Sequence, residues 1–141
     1  MLFFNVLGTP EYIAPEVLLR QGHGRAVDWW SLGALLYEMI TGLPPFYSRN
    51  RETMFEKIMK AELNFPPFMS DDAKDLLGRL LIRDPKQRLG SGDRDANELK
   101  EHAFFKDVDF EGLSYLVHST SGTHLQQHRC EQGVWREKGC A

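Results

Sequence analysis

The segment from Ala26 to Thr41 is apolar on nearly every side, and it constrains the fold more than any other feature. Gly42 supplies a helix stop and Pro44 prevents continuation, so the pattern predicts a helix that ends at Thr41. A helix that is apolar all round must be buried all round. One buried face is expected to contain Val27, Trp30, Ala34, Leu35 and Met39.

Further helical patterns follow along the chain. Arg51 to Lys60 is amphipathic and predicts a helix that packs on its own domain, with a partner groove as the alternative. Ser70 caps another helix, which Asp84-Pro85 should end. A short helix is expected from Ala96 to His102, after which Phe104 and Phe105 dock into the core. The pattern therefore predicts a mainly α fold.

The composition of the chain limits which classes of function it can have. The 141 residues fit one domain, and 42% hydrophobic content suffices for a core. The net charge of −3 gives no reason to expect nucleic acid or membrane as a partner, and no stretch has the length of a membrane span. Cys130 and Cys140 imply no disulfide framework, which favours the cytoplasm or nucleus. No second pair of ligands accompanies them, so no metal site is predicted.

Five motifs carry a family resemblance. They are GTPEYIAPEVL at 8–18, DWWSLG at 28–33, GLPPFY at 42–47, RDPKQRLG at 83–90 and HAFF at 102–105. In this order and spacing they resemble AGC-group serine/threonine protein kinases, most closely protein kinase B and the serum- and glucocorticoid-regulated kinases.

The resemblance implies a helical sub-domain of a kinase C-lobe, containing the end of the activation segment and about four to five helices, with the small lobe absent. Residues 8–113 would form this partial kinase domain. Residues 1–7 would be a non-homologous lead and residues 114–141 an unstructured tail. Both edges resemble joins, as a partial gene model or a spliced transcript would produce.

The printed sequence contains none of the motifs that carry phosphoryl transfer. It has no GxGxxG loop, no HRD and no DFG. Asp109–Gly112 is a near miss that we interpret as a surface turn. ATP and Mg²⁺ serve the parent family, but neither is expected to bind this chain. No catalytic residue is predicted, and we expect no activity from the chain alone.

The resemblance does imply substrate-binding residues. Thr9 matches the threonine that helps to place the acceptor hydroxyl. Pro10 and Ile13 match a wall of the pocket for the residue after the phosphoacceptor, and Glu11 and Glu38 match acids that read basic side chains upstream of it. A solvated helix charge is the alternative for Glu38. The expected partner is therefore a protein or peptide with basic residues.

Four further positions have implied structural roles. Glu16 and Arg88 match a buried ion pair that joins the activation segment to the helical base. Asp28 matches an acid that holds the catalytic loop, which this sequence lacks, and Trp30 belongs to the core of the central helix.

Two other interpretations stay open. The chain could be a non-catalytic binding module, a decoy for basic peptides or a kinase partner. Alternatively it is an unstable product that aggregates through its uncovered apolar helix, because each uncovered large side chain forfeits roughly 1.5–3 kcal/mol.

Overall fold

A computed structural model describes residues 10–22 and 24–113 of the chain. The chain divides into two compact units, residues 1–106 and residues 107–141. In the first unit the described helices are α1 (Pro15–Leu18), α2 (Ala26–Thr41), α3 (Arg51–Lys60), α4 (Asp71–Leu80) and α5 (Ala96–Lys100), with 3-10 turns at Pro10–Tyr12 and Ala103–Phe105. The described residues contain no strand, so the predicted mainly α fold is confirmed. No helix among them is both long and apolar enough to cross a bilayer.

Helix α2 has the predicted bounds, and its end follows from one glycine. Gly42 adopts φ 85° and donates its backbone N–H to the Glu38 carbonyl at 2.7 Å. This left-handed geometry suits a residue without a side chain and closes the last helical turn.

The prediction that Trp30, Leu35 and Met39 lie together on one buried face of α2 is wrong. Trp30 is fully buried, whereas Leu35 and Met39 are 45% and 74% exposed. At about 100° per residue, these two side chains lie about 140° and about 180° around the axis from Trp30. They therefore point away from the packed side and stay uncovered in this chain.

Among the described residues of the first unit, three apolar clusters make up the core. One joins Trp30 and Ala34 of α2 to Met54 and Ile58 of α3. The second joins Tyr37 to Leu77 of α4. The third consists of Leu76, Leu80 and Leu99, against which Trp29, Leu36, Phe104 and Phe105 pack. The docking of both phenylalanines agrees with the sequence prediction.

Side-chain caps define where helices α3 and α4 begin. The Asn50 side chain accepts the Thr53 N–H at 3.0 Å, and the Ser70 hydroxyl accepts the Ala73 N–H at 3.3 Å. Each cap pairs a backbone donor that has no partner inside the helix.

Two helix ends come earlier than predicted. Helix α4 stops at Leu80, ahead of Asp84-Pro85, because the chain turns back and Leu89 donates its N–H to the Arg79 carbonyl at 3.1 Å. Helix α5 stops at Lys100, because the His102 ring caps the next turn by accepting the Phe104 N–H at 3.2 Å.

The first arginine of the RDPKQRLG motif, to which the sequence analysis assigns no role, caps the end of α3. Arg83 donates from Nε to the Ile58 carbonyl at 2.7 Å and from Nη2 to the carbonyls of Lys57 and Ala61. Its guanidinium also lies over the Phe46 ring, 5.6 Å from the centroid. Arginine suits this position because one planar group offers several donors to free carbonyls.

In the second unit the structure describes residues 107–113. Residues 110–113 form a helical turn, and the Asp109 carboxylate accepts the Gly112 N–H at 3.0 Å. The near miss to a DFG motif is thus the start of a helical turn, with Asp109 and Glu111 exposed.

Candidate functional site

A buried ion pair connects α1 to the loop after α4. Arg88 donates from Nη1 and Nη2 to the two carboxylate oxygens of Glu16, at 2.7 and 2.9 Å. The same guanidinium donates to the carbonyls of Ala26, Arg83 and Ile82. All five N–H groups of the guanidinium are therefore used, as a buried arginine requires. The structure thus contains the pair that the resemblance implies, across 72 residues of chain.

Trp30 lies directly beside this pair. The Arg88 guanidinium is 5.2 Å from the Trp30 ring, and Phe46 stacks near the same indole with centroids 5.9 Å apart. A cation over an indole face is attracted by its quadrupole. Trp30 therefore links the ion pair to the apolar core.

The neighbouring Trp29 is held by the loop that precedes α5. Its indole Nε1 donates to the Asp95 carboxylate at 3.0 Å, although Asp95 has an unfavourable φ of 47°. Gly90 (φ 83°) lies so close that a Cβ there would be 2.6 Å from the indole nitrogen. No periodicity could show this, because the contacts join distant parts of the chain.

Two acidic residues lie near Tyr12. The Tyr12 hydroxyl donates a hydrogen bond to the Glu38 carboxylate of α2. Glu11, in the same 3-10 turn as Tyr12, has a buried Oε2 for which the described residues offer no hydrogen-bond partner. The structure therefore places two of the predicted substrate-binding residues, Glu11 and Glu38, near one phenol.

The nearby acids change the pKa of Tyr12. The pKa of the phenol is raised above its usual value, mainly by the hydrogen bond to Glu38. Partial burial and the negative charges of Glu38 and Glu11 raise the pKa further. A site that disfavours a further negative charge favours a positive one. Tyr12 was missed at the sequence level, because no pattern connects a loop tyrosine to a helix acid 26 positions later.

The other predicted substrate residues lie in or beside the same turn. Pro10 opens the turn and Ile13 follows it, and both are half-buried. The Ile13 N–H reaches the Pro10 carbonyl at 3.4 Å. Thr9 lies outside the described residues, so its role stays a prediction. The roles of Pro10 and Ile13 as a pocket wall are likewise predictions.

Opposite the packed side of α2 runs an exposed stripe, which we define as Asp28, Leu32, Leu35 and Met39. Asp28 is exposed, and Leu32 is 38% exposed. Within the part of the chain that the structure describes, no side-chain hydrogen bond of Asp28 is observed. The spacing of four, three and four residues puts all four on one face.

The described residues do not fit a magnesium site. Among residues 10–22 and 24–113, no three side chains of His, Cys, Asp or Glu are grouped to hold a metal. Mg²⁺ in phosphoryl transfer is held by carboxylate and amide oxygens together with substrate phosphates. The kinase residues that hold Mg²⁺ belong to the DFG motif and the catalytic loop, and the sequence contains neither motif.

Comparison with protein families matches residues 3–105 to the protein kinase domain. The chain belongs to the protein kinase family. The match begins ahead of Gly8, and the boundary that the motifs suggest at Gly8 stays a prediction.

Individual relatives agree. The chain is 56% identical over 110 residues to Protein kinase 2 of Dictyostelium discoideum, covering 78% of this chain and 22% of that protein. It is 57% identical over 106 residues to Serine/threonine-protein kinase gad8 of Schizosaccharomyces pombe, covering 75% and 18%. Against human RAC-beta serine/threonine-protein kinase it is 53% identical over 106 residues, covering 75% and 22%.

These relatives confirm the resemblance to AGC-group serine/threonine kinases. The chain spans about a fifth of the length of the relatives that it matches. Residues 3–105, which match the kinase domain, contain helices α1 to α5 and the Pro10–Tyr12 turn.

Proposed function

We propose that the chain is part of an AGC-type serine/threonine kinase, whose parent transfers the γ-phosphate of ATP to Ser or Thr near basic residues. Within that reaction, the chain would supply an acidic surface that reads the basic residues. The observation that carries this proposal is the hydrogen bond from the Tyr12 phenol to Glu38, with Glu11 next to Tyr12 in the same turn.

The geometry suits an arginine side chain. A carboxylate accepts two parallel N–H bonds from a guanidinium, and charge complementarity adds selectivity. The Glu11 Oε2 atom supports this interpretation because it is buried without a partner among the described residues. An arriving guanidinium would have to uncover this oxygen before donating to it, and the pair would then recover the free energy that an unpaired buried acceptor costs. Pro10 and Ile13 would form the apolar wall beside it, and Thr9 would lie next to the acceptor.

Peptide binding tests this proposal. We expect a peptide with arginines upstream of a serine to bind the chain more tightly than the same peptide with neutral citrulline. Glu38→Ala should weaken binding of the arginine peptide by roughly 10- to 100-fold, since it removes a charge-assisted pair. Glu52→Ala, an exposed acid on the first turn of α3, is the matched control and should have no effect. Equal binding by the parent chain and Glu38→Ala would contradict the proposal.

We further propose that the 141-residue chain transfers no phosphate by itself. The sequence has no GxGxxG, HRD or DFG motif, and phosphoryl transfer depends on these groups for position and charge. ATP and Mg²⁺ would act in the parent enzyme and would not bind productively here. Magnesium-dependent ATP turnover by the purified chain, absent from a buffer control, would overturn this.

Two other functions are favoured by particular observations. The acidic turn would also allow the chain to act as a decoy for basic peptides or to bind a kinase partner. The exposed stripe of α2 instead favours an unstable product, because Leu35 and Met39 are uncovered. A sharp cooperative melt of a monomer would argue against the unstable product.

The cytoplasm or nucleus is the proposed location. Only Cys130 and Cys140 occur in the chain, which suits a reducing compartment. Fractionation of cells that express the tagged chain would test this.

A further inference from the structure

The Pro10–Tyr12 turn is attached to α2 at two points. One is the hydrogen bond from the Tyr12 hydroxyl to Glu38. The other lies on the backbone, where the Ser31 hydroxyl donates to the Tyr12 carbonyl oxygen at 3.0 Å. Tyr12 is thus held at both ends by residues of one helix, seven positions apart on the same face of α2.

Ser31 does not need this bond for its own helix. Its hydroxyl also lies 3.2 Å from the Val27 carbonyl, four residues earlier in α2. A helical serine normally satisfies its hydroxyl in that way, so the second acceptor is an additional connection. A single hydroxyl proton is shared between the two oxygens, and the nearer one belongs to Tyr12.

The Tyr12 carbonyl, by contrast, depends on Ser31. Among the described residues no backbone N–H donates to that oxygen. A half-buried carbonyl without a donor turns toward water. Removal of the Ser31 hydroxyl should therefore release the backbone of the turn and shift the phenol relative to Glu38.

We infer that Ser31 is a positioning residue for substrate recognition, and this inference rests on the proposed function. Its hydroxyl fixes the Pro10–Tyr12 turn on α2, so that Tyr12 orients the Glu38 carboxylate toward an incoming arginine. Ser31 itself touches no substrate. Its influence passes through the Tyr12 backbone to the Tyr12 hydroxyl and then to Glu38.

Ser31→Ala separates positioning from folding. We expect the dissociation constant of the arginine peptide to rise roughly three- to tenfold, the range that one hydrogen bond supports. The unfolding midpoint should stay the same or rise, because alanine favours a helix more than serine does. A lower midpoint that accounts for the weaker binding would overturn the inference, since the effect would then be structural.

Thr41→Val is the matched control. Thr41 lies on the same helix, and its hydroxyl is likewise shared between two carbonyls, that of Leu43 at 2.8 Å and that of Tyr37, four residues earlier, at 2.9 Å. Among the described residues, no hydrogen bond joins Thr41 to the Pro10–Tyr12 turn. This variant should bind the arginine peptide like the parent chain.

A spectroscopic readout tests the positioning without peptide. In chain labelled at tyrosine, the NMR ring signals of Tyr12 are assigned by their loss in Tyr12→Phe. Ser31→Ala should move them toward the position that they take in Glu38→Gln, where the phenol loses its anionic acceptor. In the Tyr12→Phe background, the effect of Ser31→Ala on binding should shrink to less than about twofold.

The proposed function and the role of Ser31 can fail separately. If Glu38→Gln weakens peptide binding while Ser31→Ala changes neither binding nor the Tyr12 signals, the inference is wrong and the proposed function stands. If Glu38→Gln leaves binding unchanged, the proposed function fails, and the role of Ser31 in recognition fails with it.

Discussion

The two sides of α2 differ in how completely the chain covers them. On the packed side Trp30 is fully buried, its neighbour Arg88 uses every donor, and Ala34 contacts no solvent. On the opposite side the stripe from Asp28 to Met39 is exposed, and three of its four members are large and apolar. One helix therefore has one side with the character of a protein interior and another with that of an uncovered interface.

This difference shows what an apolar pattern can establish. The sequence of α2 indicates the capacity for burial all round, because apolar side chains occur at every angle. It does not indicate which of them this chain buries. That depends on where α3, α4 and the loop around Arg88 are placed, and they cover one side.

The largest expected effect lies on the packed side. Glu16→Gln should lower the free energy of unfolding by about 3–5 kcal/mol, because Arg88 would keep a buried charge without its counter-charge. Chemical denaturation measures this. Glu101→Gln, which breaks the exposed pair with Arg94, is the control and should cost less than about 1 kcal/mol. Equal stability of Glu16→Gln and the parent chain would show that the pair contributes nothing.

Two helical glycines offer a matched test of packing. A Cβ on Gly33 of α2 would lie 2.9 Å from the Leu80 Cβ, whereas a Cβ on Gly78 of α4 meets nothing within 4 Å. Gly33→Ala should therefore destabilise by about 1–3 kcal/mol through overpacking. Gly78→Ala should stabilise by about 0.5–1 kcal/mol through helix propensity alone. Thermal melts of the pair measure both, and a stabilising Gly33→Ala would contradict the described approach of α2 to α4.

Acid should remove the contribution that Asp75 of α4 makes to the stability of the fold. Asp75 accepts hydrogen bonds from Arg79 and His102, and these bonds hold its pKa below the ordinary value. A lowered pKa in the folded state contributes stability at neutral pH that is lost as pH falls through that pKa. The stability difference between the parent chain and Asp75→Asn should therefore be positive at neutral pH and should shrink as the pH falls below about 4, the ordinary pKa of an aspartate.

Urea unfolding of both proteins across that range measures the acid effect. Because His102 begins the turn that contains Phe104 and Phe105, loss of this bond reaches the third core cluster. A difference that grows as the pH falls below about 4 would contradict the sign.

The smallest expected effect lies on the exposed stripe. Leu35→Ala should change the free energy of unfolding by less than about 0.5 kcal/mol, because the side chain is already 45% exposed. Leu77→Ala, a fully buried leucine of α4, should cost about 2–5 kcal/mol under the same conditions. Similar losses of unfolding free energy from both substitutions would show that the exposed stripe of α2 is packed as tightly as the core.

The helical elements themselves were largely predictable. Helices α2 and α3 have the predicted bounds, since Gly42 and Asn50 act locally. The ends of α4 and α5 were placed too late, because the stops come from Leu89 and His102, whose contacts form only after folding. The motifs also identified the kinase family, which the comparisons confirm.

Some residues of the candidate site were also predictable from the sequence, and others were not. Glu11 and Glu38 were named from the sequence because the family motif includes them, and their substrate role stays a prediction. Tyr12 and Ser31 emerged only from the structure, through hydrogen bonds that join the turn to α2.

The sequence by itself determined that the chain is mainly helical, that its longest helix is apolar all round, and that it belongs with the protein kinases. Those properties follow from local propensity, from the period of apolar residues and from short motifs. Only the tertiary structure decided which side of α2 is covered and how Tyr12 connects the turn to Glu38. The physical reason is that burial and hydrogen bonding between distant residues depend on the relative placement of helices, which no local pattern encodes.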